Sequence, residues 1–187
     1  MSEKQTMLLR TAIQLISEEG VGIATAKIAR TAGVSNGTLF NYFATKQILF
    51  ETVYLHIKTS MARDILVPAD KHRSLDQFLL AIWMSFSAWC IRNPIELEAL
   101  NTLKSSQLLG DRITNEGERI WARVFTRLEQ GMTDKVITTA PVGLITASIE
   151  AVVQSVATYA VQHKLPDPMV EKLTKRSFDL FWKGITL

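Results

Sequence analysis

Apolar residues recur along this chain at three- and four-residue intervals, and the strict alternation that marks a half-buried strand is absent, so the pattern predicts an all-α protein. Met7, Ala12, Ile13, Leu15 and Ile16 line one side of a first helix, which Gly20 and Gly22 end. A short second helix is expected from about Thr25, with the Thr25 hydroxyl as its cap and Ile28, Ala29 and Ala32 turned inward. Gly33 permits a sharp turn, Ser35 is placed to cap a third helix from Asn36 to about Phe43, and Thr45 to cap a long fourth that runs toward Val67 before Pro68. Longer apolar helices follow, predicted at 74–92, 95–109, 115–132, 141–163 and 168–183. The stretch before Asn93-Pro94 is apolar almost all round, as a central helix wrapped by others would be. About nine helices are expected, and the change of pattern beyond Pro68 looks like the start of a second domain.

The third helix carries the candidate chemistry. At about 100° per residue, Leu39, Phe40 and Phe43 share one arc that can anchor it, while Gly37, Thr38, Asn41 and Tyr42 fall opposite. That second set is small or hydrogen-bonding, as a helix entering a major groove about 12 Å wide requires. Thr25, Thr38 and Tyr42 can donate to phosphate oxygens, and Lys46 supplies a full positive charge. The helix N-terminus behind Ser35 offers free backbone N–H groups. Asn36, Thr38 and Asn41 can address base edges. Between Ala24 and Lys46 the charged residues are Lys27, Arg30 and Lys46, with no carboxylate among them. From Met61 onward fifteen Lys or Arg stand against fourteen Asp or Glu, so the basic signal is local even though the whole chain carries a formal +3.

Ile28-Ala29-Arg30-Thr31-Ala32-Gly33-Val34-Ser35-Asn36-Gly37-Thr38-Leu39-Phe40-Asn41-Tyr42-Phe43, followed by Ala44-Thr45-Lys46-Gln47-Ile48-Leu49, resembles the N-terminal signature of the TetR/AcrR family of repressors. The likeness covers roughly Met7 to Tyr54, under a third of the chain. It implies a helix-turn-helix DNA-binding domain at 1–50 and an effector-binding and dimerisation domain at 51–187. It also implies a cytoplasmic homodimer, a palindromic double-stranded operator, and release by a small-molecule effector of unknown identity. On this reading the DNA-contacting set is Thr25, Lys27, Ser35, Asn36, Gly37, Thr38, Phe40, Asn41, Tyr42 and Lys46. Two departures matter: Phe40 stands where many members have Tyr, and Ala26 stands at a position that is often basic or polar.

In the second domain, Ile145, Ile149, Val152, Val156 and Tyr159 form one apolar stripe. Met169, Leu173, Leu180 and Gly184, with Phe178 and Phe181 beside them, form another. Either stripe can be internal core or, as the resemblance suggests, half of a four-helix dimer interface. Trp83, Phe86, Trp121 and Phe125 are either core or the lining of an effector cavity. The remaining chemistry is sparse. One cysteine, Cys90, allows no intrachain disulfide, and His56, His72 and His163 lack metal-ligand spacing, so neither metal nor cofactor is expected. The opening Met-Ser-Glu-Lys-Gln lacks the design of a secretory signal, and the apolar run from Phe78 to Ile91 is shorter than the ~20 residues of a membrane span, so no membrane partner is expected. No Gly-x-Ser-x-Gly elbow, Glu-x-x-His pair or phosphate-cradling loop gives an enzyme a seat.

Overall fold

The structure is a computed structural model that describes residues 2–187. Among these residues it contains ten α-helices and no β-strand; one isolated bridge joins Ile137 to Thr186.

Helix α1 (Glu3–Glu19) starts at Ser2, whose hydroxyl accepts from the Gln5 amide at 3.2 Å, and ends at Gly20, where φ is 77°. It buries Leu8, Leu9, Ala12, Ile13, Leu15 and Ile16. Helix α2 (Thr25–Thr31) differs at its start from the sequence expectation. Its cap is Ala24, extended at φ −78° and ψ 140°, with no side-chain cap bond. Thr25 already lies within the helix, and the amides of Lys27 and Ile28 both donate to the Ala24 carbonyl. Gly33, at φ 69°, adopts the left-handed conformation that the turn requires. Helix α3 (Asn36–Tyr42) follows, and Thr45 caps α4 (Lys46–Ala69) by accepting from the Ile48 amide at 3.1 Å. α4 continues through Pro68 and ends at Ala69 rather than before the proline.

The remaining helices are α5 (Leu75–Arg92), α6 (Pro94–Ser105), α7 (Asp111–Arg119), α8 (Ala122–Thr133), α9 (Val142–Gln162) and α10 (Asp167–Ile185). One helix expected at 115–132 is therefore two. The break falls at Ile120-Trp121, with Trp121 at φ −102° and ψ 7°, where the chain passes from one compact unit to the other.

Those two units are interleaved along the chain. The first comprises the chain up to Ser60 together with Asn93–Arg119, and the second comprises Met61–Arg92 and Ile120–Leu187. The linear partition at residue 50 does not describe this arrangement, because α6 packs on α1 within the first unit. There α7 lies on α4 at close range: a Cβ on Gly117 would stand 2.6 Å from the Tyr54 ring, so glycine is what permits the approach.

The second unit is built around α5, which packs on α8, α9 and α10, as its nearly all-round apolar sequence predicts. Two polar contacts tie α5 to α10: Trp83 Nε1 donates to Ser177 Oγ at 2.9 Å, and the buried Ser87 and Thr174 hydroxyls lie 3.1 Å apart. α9, with 21 residues, is long and apolar enough by length and composition to cross a membrane, as the shorter apolar run from Phe78 to Ile91 is not. Within its unit α9 buries Ile145, Ile149, Val153, Ala157 and Ala160 and packs on α5 and α10, the position of a core helix.

Candidate nucleic-acid interface

The local sequence explains how α3 is held. Ser35, extended at φ −72° and ψ 154°, accepts from the Thr38 amide at 3.1 Å, and its hydroxyl lies 2.9 Å from that of Thr38. Such a cap is worth about 1 kcal/mol. Leu39 and Phe43 are fully buried and fix the helix from behind.

Phe40 does not join them. It is 40% exposed, so the anchoring arc is Leu39 with Phe43 alone. The physical reason is that Phe43 is the extended C-cap of α3, at φ −135°, and so does not widen the buried arc of the helix toward Phe40, which lies about 100° round from Leu39. Asn36, Gly37, Phe40 and Asn41 are all exposed and fall within an arc of about 140°, with Phe40 and Gly37 in its middle. Tyr42 is exposed to one side of this face and Thr38 is half-buried beside the cap.

Gly37 has open space around it. An added Cβ would meet only Ser35 Oγ, at 3.8 Å. Glycine inside a helix costs about 1 kcal/mol relative to alanine, and neither backbone strain nor internal crowding requires it here. The missing side chain leaves the helix backbone accessible on the outer face of α3.

The cations are less available than the sequence suggests. Lys27 Nζ lies 2.6 Å from the Glu19 carboxylate, at the end of α1, and both side chains are about 40% exposed. Lys27 is thus held in an ion pair and does not stand as an open charge beside α3. The sequence reading missed Glu19 because it lies outside the carboxylate-free window of 24–46, although its eight-residue separation across the α1–α2 turn is the signal that would have found it. Lys46, half-buried, places its Nζ 5.2 Å from the centroid of the buried Phe50 ring, which orients it at the start of α4. Thr25, half-buried in the first turn of α2, makes no cap bond, and neither α2 nor α3 has an acidic residue in its first turn.

The two sets expected in the second domain separate on burial. Trp83 and Phe86 are core. Trp83 meets Phe178 edge-on at 5.7 Å and Phe181 at 4.9 Å, filling the space between α5 and α10. Trp121 and Phe125 are half-buried. Of the expected interface residues, Ile145, Ile149 and Phe178 are buried inside the unit and unavailable to a second protomer. Val152, Val156 and Phe181 are half-buried. The uncovered apolar surface comprises Leu144, Tyr159, Met169 and Leu180, with a shallow groove of about 400 Å³ lined by Ala151, Val152, Ser155, Val156, Tyr159 and Leu173.

A capped, apolar-backed short helix that exposes Asn36, Gly37 and Asn41 around Phe40, turned sharply against a preceding helix in an all-α chain, defines a helix-turn-helix DNA-binding protein. Comparison with known proteins agrees. Residues 8–53 match the family described as bacterial regulatory proteins, tetR family. The nucleoid occlusion factor SlmA of Shewanella loihica is 29% identical over 141 residues, 73% of this chain and 68% of that one. A solved chain from Shewanella sp. PV-4, assigned to the tetR family of transcription regulators, is 26% identical with a TM-score of 0.89 over all of both chains. A TetR family transcription regulator from Marinobacter aquaeolei VT8 shares the fold at a TM-score of 0.88 and 18% identity, covering 98% of this chain and 95% of that one. Residues 8–53 carry a tetR-family DNA-binding domain, and the chain is a DNA-binding transcription regulator.

Proposed function

We propose that this regulator is a cytoplasmic repressor that grips a palindromic operator as a homodimer, one α3 helix per half-site, and lets go when a small molecule binds its second domain. The observation that carries the DNA part is the outer face of α3, where Asn36, Gly37, Phe40 and Asn41 are exposed together above buried Leu39 and Phe43. In this reading Asn36 and Asn41 address base edges, Thr25, Ser35, Thr38 and Tyr42 bond phosphate oxygens, and Lys46 adds charge.

The dimer part is supported by the uncovered face of α9 and α10. Leu144, Tyr159, Met169 and Leu180 are each about half exposed or more, and α9 carries a single charged residue, Glu150. An apolar face of that extent in water favours association. Two-fold pairing through α9 and α10 sets two α3 helices against an inverted repeat with half-sites about one helical turn or slightly more apart. Effector release follows from the family resemblance. α4 is its lever, since it runs unbroken from Lys46 in the first unit to Ala69 in the second. A ligand that prefers a conformation with misplaced α3 helices depopulates the DNA-competent state. Trp121 and Phe125 are the expected aromatics still open to such a ligand, since Trp83 and Phe86 serve the core.

Selection of bound sequences from a random duplex pool tests the whole reading, and the expected product is an inverted repeat bound by two protomers. Val152→Glu with Val156→Glu is expected to give a folded monomer, by light scattering and circular dichroism, that no longer holds the repeat. A variant that stays dimeric refutes the interface.

A second reading is favoured by the relatives named nucleoid occlusion factors, one of which matches along 73% of the chain and so well beyond the reading head. In that reading this chain's DNA-bound dimer serves nucleoid occlusion in place of transcription. Mapping bound sites in the cell separates the two: few sites at promoters support repression, and many sites spread through the chromosome support the alternative.

A further inference from the structure

We propose that Phe40 determines operator sequence by packing its phenyl ring against the C5-methyl group of a thymine in the major groove. The proposal rests on the DNA-reading role of α3 and assigns a base to one of its residues.

The ring is 40% exposed, whereas Leu39 beside it and Phe43 one turn on are buried to 1% exposure or less. Its outward neighbours on the wheel are Asn36, Gly37 and Asn41, all exposed, so the ring stands as an apolar spot in the middle of a polar face. Phe40 therefore leaves a large apolar surface in water where a polar side chain would cost nothing. A phenyl ring also has no hydroxyl to offer a phosphate oxygen. A major groove presents one apolar substituent to such a ring, the thymine methyl; the other base edges there offer donors and acceptors. Against those, a phenyl ring would strip water from polar groups without replacing the hydrogen bonds, so it selects against them as well as for thymine. Gly37, one turn earlier on the same face, has no Cβ to hold the ring away from the floor of the groove, and within the protein only Ser35 Oγ comes near the space beside it.

The test uses the full-length protein and the operator recovered from a random duplex pool. Each dT of the operator is replaced in turn by dU, which removes the methyl group and keeps the pairing edge. At one dT per half-site the wild-type protein is expected to lose about four-fold in affinity, and roughly fifteen-fold when both half-sites are changed, the value of one buried methyl each. Phe40→Ala is expected to bind the dT and dU operators equally. The substitution is at an exposed position, and circular dichroism checks that the variant is folded. A wild-type protein indifferent to every dT-to-dU exchange, or a Phe40→Ala variant that keeps the same dT preference, overturns the assignment of Phe40 and leaves the operator reading intact. A pool that yields no preferred sequence overturns that reading itself.

Discussion

The ion pair between Lys27 and Glu19 predicts that this protein binds DNA less tightly than its own lysines allow. With Nζ 2.6 Å from the carboxylate, Glu19 acts as a fixed counter-anion that Lys27 must share with any phosphate. The perturbation is Glu19→Gln. Because the two side chains are about 40% exposed, the pair is worth at most about 1 kcal/mol. Freeing Lys27 therefore raises affinity by up to about five-fold per half-site and about 25-fold for a two-fold dimer, equally for all sequences. Each lysine that gains a full phosphate contact adds about 0.9 to the slope of log affinity against log salt, so two steepen it by at most about 1.8. Stability changes little, because Glu19 lies at the C-terminal end of α1, which has no basic residue in its last turn. Removing a negative charge there relieves an unfavourable helix-end interaction of similar size to the lost pair. Anisotropy titrations of labelled duplex between roughly 50 and 300 mM salt measure both quantities. The control is the same substitution in a Lys27→Gln background: if Glu19 acts through Lys27, its effect vanishes there. An unchanged affinity in Glu19→Gln, or a gain that survives without Lys27, refutes the reasoning.

Two further outcomes follow from packing. Gly117→Ala places a methyl group 2.6 Å from the Tyr54 ring and should cost about 1–3 kcal/mol in denaturant unfolding, with a smaller penalty in a Tyr54→Ala background; a fully stable single variant would contradict the close α4–α7 approach. Burial pushes the Cys90 thiol from 9.0 up to about 12, so native protein should resist iodoacetamide at pH 8 and react only when unfolded. Since the folded value is the raised one, its contribution to stability is complete below pH 9 and lost as pH rises from there toward 12. The denaturation midpoint should fall over that window, and less steeply in Cys90→Ala.

The reading head was legible in the sequence because its determinants are local. Gly33, Ser35, Thr38 and Thr45 act on groups no more than five residues away, so turn and caps could be placed without knowing what packs on what. Two details within it escaped for definite reasons. Phe40 was grouped with the anchors because an arc drawn through Leu39 and Phe43 treats Phe43 as helical, whereas it is the C-cap, extended at φ −135°, and the true buried arc is narrower. Thr25 was read as a cap because threonine is favoured there, but the last extended residue before α2 is Ala24.

Farther along, periodicity carried less information than it appeared to carry. At about 100° per residue Ile113, Gly117, Val124, Leu128 and Gly131, the buried residues of α7 and α8, fall within one arc of about 60°, so nothing in the apolar spacing marks the break between them. The same ambiguity governs α9. With one charged residue in 21 it has two apolar faces, and the spacing that groups Ile145, Ile149, Val152 and Val156 does not say which face α5 takes. Non-local pairing decides: Trp83 with Ser177 and Ser87 with Thr174 fix α10 along α5, and the burial of Ile145, Ile149 and Phe178 goes with that packing. What is left over, from Leu144 through Tyr159 to Leu180, is a surface whose composition suits a core and whose place is outside one. The proposed dimer face is therefore the part of α9 and α10 that internal packing leaves uncovered, and it differs from the stripe that spacing alone picks out because spacing does not say which face α5 takes.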